Sequence, residues 1–131
     1  LTGTNQKKLD QFAKDHPDAF ALANDAGDPQ AAKELGKFVK EKFGQVDAVF
    51  LNAGFGNFVP HNEVSAEEFD NQFSVNVRGP ILHARELSSL IKEGGSILIT
   101  ASVAQYLGME GGIVYNSTKG AVRTVVLVLS A

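Results

Sequence analysis

Ala48-Val49-Phe50-Leu51-Asn52-Ala53-Gly54 runs from four consecutive apolar residues straight into a polar turn. A short, unbroken apolar run is how a parallel strand covered on both faces reads, because neither face meets water. A strand with one wet face would alternate instead. The turn Asn52-Ala53-Gly54-Phe55-Gly56 carries residue types suited to ending a strand. The segment predicts a parallel sheet whose faces are covered by helices.

Its flanks agree. Upstream, Pro29 to about Phe43 has helical spacing, with Ala31, Ala32, Leu35, Val39 and Phe43 as the apolar stripe. Asp28 is placed to cap that helix, Pro29 to occupy its first position and Gly44 to close it. Before it, Ala19-Phe20-Ala21-Leu22-Ala23 reads as a buried strand ending in the turn formers Asn24 to Pro29. A helix is expected from Gln6 to about Lys14, with Leu9, Phe12 and Ala13 on one face, broken at His16-Pro17-Asp18. Leu1-Thr2-Gly3-Thr4-Asn5 reads as the end of a strand running into a turn.

Downstream, Ser65 and Glu68 have capping-box spacing and open one long helix, about Ala66 to Lys92. Phe69, Phe73, Val77, Leu82 and Leu90 are among its apolar positions, and Gly79-Pro80 predicts a kink. Glu93-Gly94-Gly95 ends it. Ile97-Leu98-Ile99-Thr100 is the third clear strand, followed by a glycine-bearing loop from Val103 to Gly112. A last helix starts near Val114 and becomes very apolar at Val122 and Val125 to Leu129. Strand and helix alternate without a hairpin signal, which argues one α/β domain over residues 1–131.

Composition narrows the function. Apolar residues make up 44% and charged residues 21%, a globular rather than a disordered profile. A formal net charge of −3, with no block of like charges, argues against nucleic acid or an anionic membrane as partner. The absence of cysteine excludes a disulfide framework and a thiolate metal site. His16, His61 and His83 lack ligand spacing, so no metal site is expected. No apolar run reaches the roughly 18 residues of a membrane span, and no signal-peptide pattern is visible. A soluble cytoplasmic protein is the expectation.

Ligands of open parallel sheets sit beyond the carboxyl ends of the strands. Asn24-Asp25, Asn52-Ala53-Gly54 and Ser102 all fall at that edge. Tyr115-Asn116-Ser117-Thr118-Lys119 follows on the last helix, where positions i and i+4 share a face. A lysine ammonium beside a phenol favours the phenolate, and such a phenol serves as general acid or base. Ser102 offers a hydroxyl to a substrate oxygen. Asn116-Ser117-Thr118 also matches an N-glycosylation sequon; its use is not expected, because Tyr115 beside it should face a cleft. Phe55, Phe58 and Met109 are candidates to line an apolar substrate pocket or to fill the core.

Asn52-Ala53-Gly54, Asn76 within Val75-Asn76-Val77-Arg78-Gly79, Ser102 and Tyr115-x-x-x-Lys119, in this order and spacing, resemble the short-chain dehydrogenase/reductase family. The likeness covers essentially the whole chain. It implies a Rossmann-like, doubly wound parallel sheet and a nicotinamide-dependent carbonyl/alcohol oxidoreductase. In that family's terms Tyr115 exchanges a proton with the substrate oxygen. Lys119 favours the phenolate of Tyr115 and binds the nicotinamide ribose, while Ser102 hydrogen-bonds the substrate oxygen. Asn76 holds a water linking Lys119 to solvent. Asn52, Ala53 and Gly54 pack against the adenosine side of the cofactor, and Asp25 and Ala26 match the adenine-contacting pair. The resemblance also implies a homodimer or homotetramer paired through the helix near Phe69–Lys92 and the helix after Val114. A cofactor-binding regulator or scaffold without turnover, or an inactive fragment, is the competing reading.

Several features depart from the family. Its glycine-rich dinucleotide loop and its first strand are absent from residues 1–131, as are its C-terminal strands. The missing strand belongs between Leu1-Thr2 and Ala48–Leu51, so a gap is expected there. The expectation is an internal piece of a longer chain that on its own neither folds well nor binds cofactor. Gly3-Thr4-Asn5 stands where an acid would select NAD through the ribose 2′-hydroxyl; without that acid, the cofactor NAD(P) is expected to be NADP.

Overall fold

Local signals set where the helices begin. The Asp28 carboxylate accepts from the Gln30 N–H at 2.8 Å, with Pro29 in the first turn. The Ser65 hydroxyl accepts from the Glu68 N–H at 3.0 Å. Asn5 caps in the same way, accepting from the Lys8 N–H at 3.1 Å. The computed structural model describes residues 1–131. In order they form β1 (Thr2–Gly3), α1 (Gln6–Asp15), β2 (Leu22–Ala23), α2 (Pro29–Phe43), β3 (Val46–Leu51), α3 (Ala66–Phe73), a π turn (Ser74–Arg78), α4 (Gly79–Leu87), β4 (Ile91–Ile99) and α5 (Ile113–Leu129). Short 3-10 turns lie at His61–Glu63, Ser88–Leu90 and Val103–Tyr106.

The helix expected from Ala66 to Lys92 is therefore interrupted. Pro80 has no N–H and crowds the carbonyl four residues back, so the ladder widens just before it. The Gly79 N–H accordingly reaches the Ser74 carbonyl. Ile91 and Lys92 belong to β4, because Ile91 pairs with Val46. That partner is far away in sequence, and helical spacing gives no hint of it.

All strand pairing is parallel. β1 pairs with β2 (Thr2 with Leu22, Gly3 with Ala23), and β3 pairs with β4 from Ala48 with Ser96 to Leu51 with Ile99. A bulge separates that register from Val46 with Ile91. Lys92 crosses it to Asp47 at 2.8 Å, and this hydrogen bond holds the Asp47 carboxyl below its usual value. The pair contributes at neutral pH and is lost as pH falls through that lowered value.

The two strand pairs are separate sheets. Between β1 and β3 lies a cavity of about 590 Å³, bordered by Leu1, Thr2, Val49, Pro80 and His83 among others. This is the place where the family resemblance puts a further strand.

Two strand expectations are corrected. Ala19 to Ala21 are not in a strand; β2 has two residues, paired only with the two of β1. Phe20 is half exposed and instead meets Phe38 and Phe43 edge-on, at 6.0 and 5.5 Å between ring centroids. Nor is β3 covered on both faces. Phe50 is 66% exposed and its pairing partner Leu98 52%, while α4 packs against these strands. An apolar run reports what a strand can bury, not what lies over it in these residues.

The accessible surface is 8363 Å² for 14.0 kDa, against roughly 6,700 Å² for a typical folded chain of that mass. Apolar surface at Phe50, Leu98 and the end of α5 contributes to the excess. The buried core gathers where α2 crosses α4, around Ala31, Ala32, Ala84 and Leu87. His83 is buried there too, with Nδ1 2.9 Å from the Gly79 carbonyl and Nε2 3.1 Å from Asn24 Oδ1. Asn24 in turn donates to the Ala31 carbonyl at 2.8 Å. These bonds fix the end of β2 to both helices. No helix is long and apolar enough to cross a membrane.

Candidate active site

β3 and β4 end side by side, and α5 and the π turn bring side chains to the same edge. The Thr100 N–H donates to the Leu51 carbonyl at 3.1 Å, and its hydroxyl donates to Asn52 Oδ1 at 2.7 Å. The Thr100 carbonyl accepts from Lys119 Nζ at 2.9 Å. Lys119 is 5% exposed and forms no ion pair. Its ammonium lies 5.9 Å from the centroid of the Tyr115 ring. One Lys119 proton is engaged by Thr100, so two remain to donate to hydroxyls in the cleft.

Asn76 is buried in the π turn, and its amide works as a joint. Oδ1 accepts from the Phe55 N–H at 3.0 Å, and Nδ2 donates to the Phe55 carbonyl at 2.7 Å and to Thr118 Oγ1 at 3.0 Å. Thr118 is fully buried and passes its own proton to the Tyr115 carbonyl at 2.7 Å. With both amide protons used, Asn76 can meet a water only as an acceptor. Gly54 is next to this joint: a Cβ there would lie 3.2 Å from Asn76 Oδ1 and 3.6 Å from Lys119 Nζ.

Ser102 precedes the 3-10 turn Val103–Tyr106, and its Oγ accepts from the Ala104 N–H at 3.1 Å. That contact leaves the hydroxyl proton free to donate to a substrate oxygen. Tyr115 is half-buried. Phe58 leans on its ring at 5.5 Å between centroids, and a Cβ at Gly56 would lie 2.8 Å from Tyr115 Cδ2. Glycine at 56 thus lets the chain lie directly on the phenol.

Asp25 and Ala26 approach from the other side of the π turn. The Asp25 carboxylate accepts from the Gly27 N–H at 2.9 Å, and Arg78 donates to the Gly27 carbonyl at 2.8 Å. A Cβ at Gly79 would meet the Ala26 carbonyl at 2.6 Å, so only glycine permits this seam. Asn52 and Ala53 are exposed and border the cavity between the sheets. The sequon is unsuited to glycosylation: the Asn116 amide donates to the Leu107 carbonyl at 2.6 Å, and Thr118 is buried.

Thr100 and Thr118 are the residues that spacing alone passes over. Thr118 sits inside the Tyr-Lys segment and Thr100 closes an apolar strand, so position was the available signal. Together the edge offers a phenol, a free hydroxyl proton, a buried ammonium and an exposed carboxylate.

A parallel α/β sheet with these groups beyond its strand ends defines a Rossmann-type dinucleotide-binding fold. The family model described as "Enoyl-(Acyl carrier protein) reductase" matches residues 1–131. The chain is 37% identical to a versicolorin reductase of Emericella nidulans over 126 residues, 95% of this chain and 48% of the relative. It is 33% identical over 121 residues to a "probable tetrahydroxynaphthalene reductase" of Zymoseptoria tritici, 92% of this chain and 45% of the relative. An alcohol dehydrogenase from the archaeon Thermococcus sibiricus, solved with 5-hydroxy-NADP, superposes with a TM-score of 0.92 at 30% identity. That match covers 98% of this chain and 57% of the solved one. The chain belongs to the short-chain dehydrogenase/reductase family and spans about half the length of the curated relatives it matches.

Thr118→Val in the full-length protein keeps the shape but leaves an Asn76 proton without its acceptor. Stability should fall by about 1–3 kcal/mol in urea denaturation, and Thr118→Ser should restore it. An unchanged midpoint would show that the Asn76–Thr118 contact bears no load.

Proposed function

We propose that the full-length protein is an NAD(P)-dependent oxidoreductase that interconverts a carbonyl and an alcohol, with Tyr115 as general acid/base. The observation that carries this reading is the placement of a buried Lys119 and a half-buried Tyr115 on one face of α5, with Ser102 at the neighbouring strand end. The residues present fit a nicotinamide dinucleotide. Lys119 has two uncommitted protons for ribose hydroxyls, Gly54 leaves the space beside it open, and Asp25 is exposed for the adenine end. Asn52, Ala53, Gly54 and Ala26 would form the wall along the adenosine side. The cofactor, when bound, supplies or accepts the hydride.

The chain's own contribution is position and proton transfer. Ser102 donates to the substrate oxygen and orients it toward the phenol. Tyr115 gives its proton to that oxygen in reduction and takes one back in oxidation. Lys119, held by the Thr100 carbonyl, favours the phenolate that reduction leaves behind. Asn76 fixes the helix turn that carries both, and a water it accepts from would connect Lys119 to solvent.

NADP is the preferred cofactor in this reading. Gly3-Thr4-Asn5 ends β1 without an acid, and Lys7 and Lys8 stand exposed at the start of α1, a helix end that favours anions. The substrate is a small carbonyl or alcohol; the two fungal relatives, named as reductases of versicolorin and of tetrahydroxynaphthalene, support an aromatic one. Exposed apolar residues on α3 to α5, including Phe69, Ile81 and Val128, support a homodimer or homotetramer. Light scattering on the full-length protein that gives a monomer would contradict that assembly.

In an assay of the full-length protein on a carbonyl panel, Tyr115→Phe should lower turnover on the order of 10²–10⁴-fold, with dinucleotide affinity retained. kcat/KM should be higher with NADPH than with NADH. Turnover untouched by the substitution would remove Tyr115 from the chemistry, and the reverse cofactor ratio would assign NAD.

A further inference from the structure

We propose that Gln72 is a positioning residue that sets substrate specificity, by holding the Phe55–Phe58 loop as an aromatic wall against Tyr115. This inference rests on the oxidoreductase reading of that site.

Gln72 is fully buried, although glutamine on a helix is ordinarily a surface residue. Its Oε1 is buried without a partner, an unfavourable state that a packed apolar residue would avoid. Nε2 accounts for its presence there. It donates to the Asn57 carbonyl at 3.0 Å and to Glu68 Oε1 at 2.8 Å. Glu68 Oε2 accepts from Asn57 Nδ2 at 3.1 Å. In a closed capping box the Glu68 carboxylate would return to the Ser65 N–H; here both of its oxygens serve Gln72 and Asn57. Asn57 is thus held through its main chain and its side chain by one helix face.

Asn57 lies in the middle of the loop that covers the phenol. Gly56 before it rests on Tyr115 Cδ2, and Phe58 after it leans on the Tyr115 ring. The Val59 N–H closes the far side on the Gly111 carbonyl at 3.0 Å. Phe58 remains 45% exposed while leaning on Tyr115, so part of its side chain is open to a ligand beside the acid/base group. A flat fused-ring aromatic ketone can lie against such a wall. A small aliphatic ketone gains little from it. Asn76 holds the loop at Phe55 and Gly111 holds it at Val59. Without the Gln72 amide the stretch between them, next to Phe58, loses its main-chain anchor at Asn57, and the preference goes with it.

The test uses the full-length protein, alpha-tetralone and cyclohexanone as ketones, and the nicotinamide cofactor the wild type accepts. Gln72→Met keeps length and helix propensity but removes the donors. The wild type should favour alpha-tetralone. Gln72→Met should lower kcat/KM for alpha-tetralone by about tenfold, the scale of a lost apolar contact in a pocket, mainly through KM. Its turnover of cyclohexanone and its KM for the dinucleotide should hold. An unchanged ratio, or an equal loss on both ketones, overturns the inference. Should Gln72→Met fail to fold, Phe58→Leu decides: the same loss of preference supports the wall, and a retained preference overturns it. A wild type that turns over neither ketone nor any other carbonyl overturns the oxidoreductase reading instead.

Discussion

Three segments that are far apart in sequence meet on the side-chain amide of Asn76. It holds both main-chain groups of Phe55 and the hydroxyl of Thr118. Phe55 opens the loop over Tyr115, and Thr118 lies on the helix that carries Tyr115 and Lys119. A buried amide must satisfy its donors or lose stability, so this joint constrains three positions at once. The π turn is what presents it. Pro80 widens the ladder just before α4, and the residue displaced inward there is Asn76.

The seam between the Asp25–Gly27 loop and the π turn extends the same constraint toward the adenine end of the proposed cofactor path. Gly79 lets its backbone touch that of Ala26, Gly27 makes room for the Ser74 and Val75 side chains, and Arg78 bonds across to the Gly27 carbonyl. On the other flank, Thr100 joins Asn52 at the end of β3 to Lys119. The sheet edge therefore carries three hydrogen-bonded clusters joined through the chain itself, whereas the strands behind it are two separate pairs with a cavity between them.

Much of this was legible in the chain. Asp28 and Ser65 cap where their spacing puts them, because capping is decided by a few adjacent residues. Ala48–Leu51 announced a parallel strand through its unbroken apolarity, and it pairs in parallel with β4. The region from Ala66 to Lys92 was not legible, because the pairing of Ile91 with Val46 is tertiary and overrides helical spacing. Exposure of Phe50 also escaped the reading, as burial depends on what packs over a strand. Tyr115, Lys119, Ser102 and Asn76 came from motif spacing. The part of Thr100 did not, because it acts on Lys119 through a main-chain carbonyl that any residue would possess. Gln72 was hidden because a helical glutamine reads as surface.

Asn76 fastens the loop that lies over Tyr115. Amide hydrogen exchange at Phe55 in the full-length protein tests it most directly. The loop is exposed and Phe55 has no main-chain partner for its N–H, so protection there must come from Asn76. The Phe55 N–H should exchange far more slowly than those of Gly54 and Gly56, and Asn76→Ala should abolish the difference. A Phe55 amide that exchanges as fast as its neighbours in the unmodified protein would contradict it.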